Sequence, residues 1–183
     1  MNYWLELQDL MNGLECDVNG DIVPYEEVNT QIVEKLIDMR RTGKRLYFAG
    51  NGGSAGIAVH MVSDFLKNGR IRTGDLYGSA TMTCLANDFG YDNVFSQQLL
   101  WQMDAGDGLV AISSSGRSPN ILKSVEATKK VGGYVITLSG FEKENPLRKQ
   151  GDSNIYVPSS SYGMVESIHN AILQRIVDEL MEI

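Results

Sequence analysis

From Arg45 onward, short apolar runs rich in β-formers alternate with stretches whose apolar residues recur every three or four positions. That alternation predicts strands joined by helices, the pattern of a parallel sheet covered on both faces. Strands are expected at Leu46–Ala49, near Asp75–Tyr77, and at Leu109–Ser113, Tyr134–Leu138 and Asn154–Val157. The helices between them are expected at Ser54–Lys67, Val94–Met103, Asn120–Val131 and Met164–Glu182, with a weaker one around Asn145–Lys149. Ahead of the first strand, Tyr3–Leu14 and Tyr25–Thr42 also have helical patterns, the second through Val28, Ile32, Leu36 and Met39. The last helix carries a stripe of Val165, Ile168, Ile172, Ile176 and Leu180. Stripes on helices that flank a complete core suit packing against further copies of the chain, so a homo-oligomer is expected.

The fold class that follows is α/β: a doubly wound five-stranded parallel sheet in the flavodoxin-like order 2-1-3-4-5, with extra N-terminal helices. One domain is expected over residues 1–183, made of a helical extension (1–44) and an α/β core (45–183). Ligands of such sheets sit beyond the carboxyl ends of the strands, where strand order reverses. This places the site after the first and third strands, where the sequence turns glycine- and serine-rich.

Composition narrows the ligand. Of 183 residues, 43% are hydrophobic and 21% charged, a globular profile, but the net charge is −7 and no basic stripe exists. Direct nucleic-acid binding is therefore not expected, and an anionic ligand would be held by amides and hydroxyls instead of a field of lysines. With no membrane-length apolar run and no leader-like N-terminus, a cytoplasmic location is the expectation. Cys16 and Cys84 are too few for a disulfide framework and read as reduced, buried thiols.

The first strand runs into Gly50-Asn51-Gly52-Gly53-Ser54-Ala55 and then a helix, so the backbone can approach an anion and the helix start offers free N–H groups. The spacing is neither a P-loop, whose lysine is missing, nor a dinucleotide fingerprint. Taken alone it could equally be a glycine turn with Ser54 as N-cap. The third strand ends in Ser113-Ser114-Ser115-Gly116-Arg117-Ser118-Pro119-Asn120, again leading into a helix. Each serine alone could be an ST-turn or cap, but two such loops on adjacent strand ends favour a phosphate ester between them. His60 and Asp64, four apart, share a helix face turned away from Ile57, Met61 and Phe65. They are either a solvated pair or part of the same site.

GNGGSA at Gly50–Ala55 with His60, CLANDFGYDNVFSQQ at Cys84–Gln98, GDGLVAISSSGRSPN at Gly106–Asn120 and VPSSSYGMVESIH at Val157–His169 together resemble the sugar isomerase (SIS) domain family, on its phosphoheptose isomerase branch. The resemblance implies a sugar-phosphate substrate and aldose–ketose isomerisation of a seven-carbon sugar phosphate through an enediolate. It implies that Asn51, Gly52, Gly53, Ser54, Asp88, Ser113, Ser114, Ser115 and Ser118 bind the substrate. It also implies a homotetramer with active sites at subunit interfaces.

By the same resemblance His60 matches a zinc ligand, and Asp64 stands where the family has a glutamate that serves as base and ligand. Glu166 falls on a metal-binding glutamine position and Gln174 on that of a histidine acid. The implied catalytic set is Asp64, Glu166 and Gln174, and the implied set for Zn²⁺ or another divalent ion is His60, Asp64, Glu166 and Gln174. His169 is expected to orient its helix, and Arg117 to add a cation to the phosphate or lie on the rim. The alternative is a non-catalytic family member that binds a phosphosugar or a partner protein such as a replication initiator.

Overall fold

In a computed structural model describing residues 2–183, the chain forms one seven-stranded sheet with helices on both faces. Five strands are parallel neighbours: β3 (Arg45–Ala49), β4 (Arg72–Gly74), β5 (Gly108–Ser113), β6 (Tyr134–Ser139) and β7 (Ser153–Tyr156). They pair in the order β4-β3-β5-β6-β7. The expected count of five is corrected to seven by an antiparallel hairpin, β1 (Glu15–Val18) and β2 (Asp21–Val23), laid along β7. Its turn, Asn19-Gly20, has φ of 51° and 92°, the two-residue geometry that asparagine and glycine favour.

The helices are α1 (Tyr3–Asn12), α2 (Tyr25–Thr42), α3 (Gly53–Lys67), α4 (Ser79–Phe89), α5 (Ser96–Gln102), α6 (Pro119–Val131) and α7 (Tyr162–Met181). Alternate residues of the strands feed two cores. Val110 and Ile112 of β5 join Leu36, Phe65 and Ile172 from α2, α3 and α7, while Leu109 and Ala111 join Leu99 and Val125 from α5 and α6. Burying such side chains on both faces supplies most of the drive to fold, at roughly 25 cal/mol per Å² of apolar surface.

Three local expectations are corrected. The second parallel strand lies at Arg72–Gly74 and not at Asp75–Tyr77. Asp75 Oδ1 accepts from the Tyr77 amide at 2.8 Å, an Asx turn that ends the strand. Residues Asn145–Lys149 form turns and no helix, because the Asn145 side chain accepts from the Arg148 amide and donates to Gly140 and Glu142 carbonyls in competition with a helical ladder. Helix α4 was not foreseen, and Cys84 on it is exposed, although Cys16 is buried as expected.

The stripes from which self-association was read, on α2 and α7, are buried in the chain's own core. Exposed apolar groups outside those stripes include Tyr3, Trp4 and Leu5 on α1, which buries no residue, Val59 and Leu66 on α3, and Trp101 on α5.

Candidate active site

Of the helices that begin at the carboxyl edge of the sheet, three face one cavity, and none of these has a side-chain cap on its N-terminus. Their N-cap residues are Gly52 (α3), Ser118 (α6) and Ser161 (α7). Uncapped amides and the positive ends of three helix dipoles make a site for negative charge. They border a cavity of about 470 Å³ lined by Asn51, Gly52, Gly53, Ser54, Ile112, Ser113, Ser114, Ser115, Ser118, Tyr162 and Glu166. Eight of the nine residues expected to bind substrate therefore gather in one place. Asp88 does not: it stays outside the lining on exposed α4, accepting from Asn87 Nδ2 at 2.8 Å and from the Cys84 thiol.

Local structure explains the loop shapes. Tyr77 clamps the first loop, its hydroxyl accepting from the Gly50 amide at 2.7 Å and donating to the Gly50 carbonyl at 2.8 Å. In the serine loop the Gly116 amide donates to Ser113 O at 3.0 Å and Ser113 Oγ to Ser118 Oγ at 3.3 Å. Ser114 is buried and its hydroxyl has no partner. A donor left unpaired at that depth costs about 1–3 kcal/mol unless a ligand meets it. Arg117 turns away from the cavity and pairs with Glu142 at the surface.

Glu166 comes from α7 onto the start of α3. A Cβ on Gly53 would lie 2.2 Å from Glu166 Oε2, so only glycine admits the carboxylate so close to the helix N-terminus. His60, Asp64 and Gln174 form a second group further along the same two helices. Gln174 Nε2 lies 2.9 Å from Asp64 Oδ2 and 3.2 Å from His60 Nε2, with His60 Nε2 and Asp64 Oδ2 3.1 Å apart. Glu166 is eight residues from Gln174, about 12 Å along the helix axis. The four residues expected to hold a metal thus share a face but do not meet at one point.

Among the described residues no three His, Cys, Asp or Glu side chains gather as a metal site. The nitrogen-and-oxygen triangle of His60, Asp64 and Gln174 still fits one face of a tetrahedral ligand set with bonds of about 2.0–2.2 Å, once the Gln174 amide turns its oxygen inward. The fourth position would be open.

His169 lies wholly inside, with Nε2 3.1 Å from the Ser139 carbonyl oxygen and Nδ1 unpartnered. It is not among the residues that line the cavity. Burial pushes the imidazole down to about 4, so it is neutral at neutral pH. An unfolded histidine takes up its proton near 6.5, so the native state is fully favoured above that pH. Stability should then fall at up to about 1.4 kcal/mol per pH unit as the pH drops from 6.5 toward the folded value. A His169→Gln chain, which keeps a donor for Ser139, is expected to lose Tm less steeply than the parent between pH 7 and 4. Melting curves across that range check it, and parallel declines would contradict it.

The SIS domain profile matches residues 26–140. Phosphoheptose isomerase of Shewanella denitrificans is 33% identical over 155 residues, which are 80% of this chain and 79% of that protein. The structure of phosphoheptose isomerase GmhA from Neisseria gonorrhoeae superposes with a TM-score of 0.80 at 26% identity, covering 98% of this chain and 93% of that one. A phosphoheptose isomerase from Francisella tularensis shares the fold with a TM-score of 0.83 at 24% identity, over 98% and 92% of the two chains. With the domain match, the sequence identity and the shared fold in agreement, the chain belongs to the SIS domain family, on the phosphoheptose isomerase branch.

Proposed function

We propose that the chain is an aldose–ketose isomerase that converts sedoheptulose 7-phosphate to glycero-manno-heptose 7-phosphate, supplying heptose for cell-surface glycans. The observation that carries this reading is the convergence of three uncapped helix N-termini, five serines and one carboxylate on a single cavity. The amides of Gly52, Gly53 and Ser54 and the hydroxyls of Ser113, Ser114, Ser115 and Ser118 hold the phosphate ester. Anchoring the ester fixes the sugar carbons relative to Glu166 and converts an encounter into an intramolecular step.

Isomerisation moves a proton from C1 to C2 of the ketose, with an enediolate between the two steps. Glu166 is the carboxylate inside the cavity and is assigned that proton transfer. His60, Asp64 and the Gln174 carbonyl would hold Zn²⁺ or another divalent ion, which supplies charge stabilisation for a developing oxyanion. Because about 12 Å of helix separates that cluster from Glu166, we place it at the cavity of a neighbouring subunit in a homotetramer. The exposed Val59 and Leu66 beside His60 on α3, and the uncovered α1, support such packing. No helix among the described residues is long and apolar enough to cross a membrane; the placement we propose is cytoplasmic.

The test is an assay of purified chain with sedoheptulose 7-phosphate, with and without zinc, beside Asp64→Asn. The parent should turn over substrate, and the variant should be slower by a hundredfold or more, since one positioned acid–base or ligand group is worth about 10²–10⁴. Parent-like turnover by the variant would remove Asp64 from the chemistry. No turnover by either chain would instead favour a phosphosugar-binding or partner-binding protein.

A further inference from the structure

Asn51 and Asn120 stand 69 positions apart, one between β3 and α3 and the other in the first turn of α6. Their side chains exchange two hydrogen bonds: Asn51 Nδ2 donates to Asn120 Oδ1 at 2.9 Å, and Asn120 Nδ2 donates to Asn51 Oδ1 at 2.9 Å. The Tyr91 hydroxyl donates to the same Asn51 oxygen at 3.0 Å. A carboxamide has two N–H groups and two acceptor lone pairs. Both lone pairs of Asn51 are therefore taken, and one N–H remains. Asn120 is 2% exposed, so its half of the exchange is shielded from water.

We propose that Asn120 is a positioning residue, forming with Asn51 a reciprocal amide strut that sets the spacing of the two phosphate-holding loops. Asn51 then acts on loop geometry, with one N–H left over at the cavity it lines. One loop carries the α3 amides and the other the serine hydroxyls, and a tetrahedral anion is bound well only when both sets sit at the right separation. Losing either amide strands the other's donor and acceptor in a shielded place, a cost met by loop movement or water entry. Ground state and transition state keep the same phosphate grip, so the loss appears in KM with little change in kcat.

The inference deepens the isomerase reading, and its test uses inorganic phosphate as a probe that does not depend on that reading. Titration calorimetry on Asn51→Ala, Asn120→Ala and the double variant forms a cycle. Each single variant should weaken phosphate about tenfold, the double no more than twofold beyond the worse single, and sugar-phosphate KM should rise alongside with kcat within threefold. Asn51→Ala alone gives a second measurement if Asn120→Ala does not fold: equal-fold losses for inorganic phosphate and sedoheptulose 7-phosphate support the strut. Multiplicative losses in the double variant, or a loss confined to the sugar phosphate, would overturn it. Absence of turnover by the parent, with the phosphate cycle still non-additive, would sink the isomerase reading and leave the strut standing. No phosphate binding by the parent would overturn both.

Discussion

Glu166→Gln is expected to cut isomerase turnover by a hundredfold or more while sugar-phosphate affinity holds or rises severalfold. The two effects have separate causes. A carboxamide has almost the shape of a carboxylate but cannot carry a proton between carbons, and a positioned general base is worth about 10²–10⁴ in rate. The parent side chain also places a negative charge in the cavity that must accept a phosphate, against the start of α3 where Gly53 lets it in. Removing that charge relieves repulsion between substrate and site, and the helix N-termini then face the ester alone. Single-turnover kinetics with calorimetry separate the terms. Parent-like turnover would move the proton transfer to Asp64, and weaker binding would mean that Glu166 holds substrate hydroxyls.

The largest loss of stability is expected at Gly116→Ala. Gly116 has φ of 62°, a region that costs an L-residue about 1–2 kcal/mol. An added Cβ would also fall 1.8 Å from Asn145 Oδ1 and 2.3 Å from its Cγ. Asn145 cannot swing aside, because it is 4% exposed and tied to Gly140, Glu142 and Arg148. Strain and clash together should cost about 2–4 kcal/mol, a fall in Tm on the order of 10 °C for a chain of this size. Phosphate affinity should drop more than tenfold with it, since the Gly116 amide closes the Ser113 turn. An unchanged Tm would show that the loop relaxes more readily than its hydrogen bonds suggest.

Much of the fold was legible because its elements carry clean periodicities. The stripes Ile57, Met61, Phe65 and Ile168, Ile172, Ile176 each mark a helix face that the core covers. The hairpin was not, because Glu15, Asp17 and Asp21 interrupt two very short strands, although Asn19-Gly20 announced its turn. The two loops that line the cavity were readable since glycine, serine and a helix start are local signals. Asn120, Tyr91 and Tyr162 were missed as site residues because what matters about them is a partner or a cavity wall supplied by distant segments. The separation of Glu166 from Gln174 was available all along: residues eight apart share a face, yet the helix rise keeps them from sharing a ligand.

The sheet stops at both rims on a three-residue strand, Asp21–Val23 on one side and Arg72–Gly74 on the other. An extended chain arriving there would find too few free backbone groups to template a ladder, and a charged side chain at each. The proposed self-association through the exposed apolar helices would therefore open no route to fibrillar stacking.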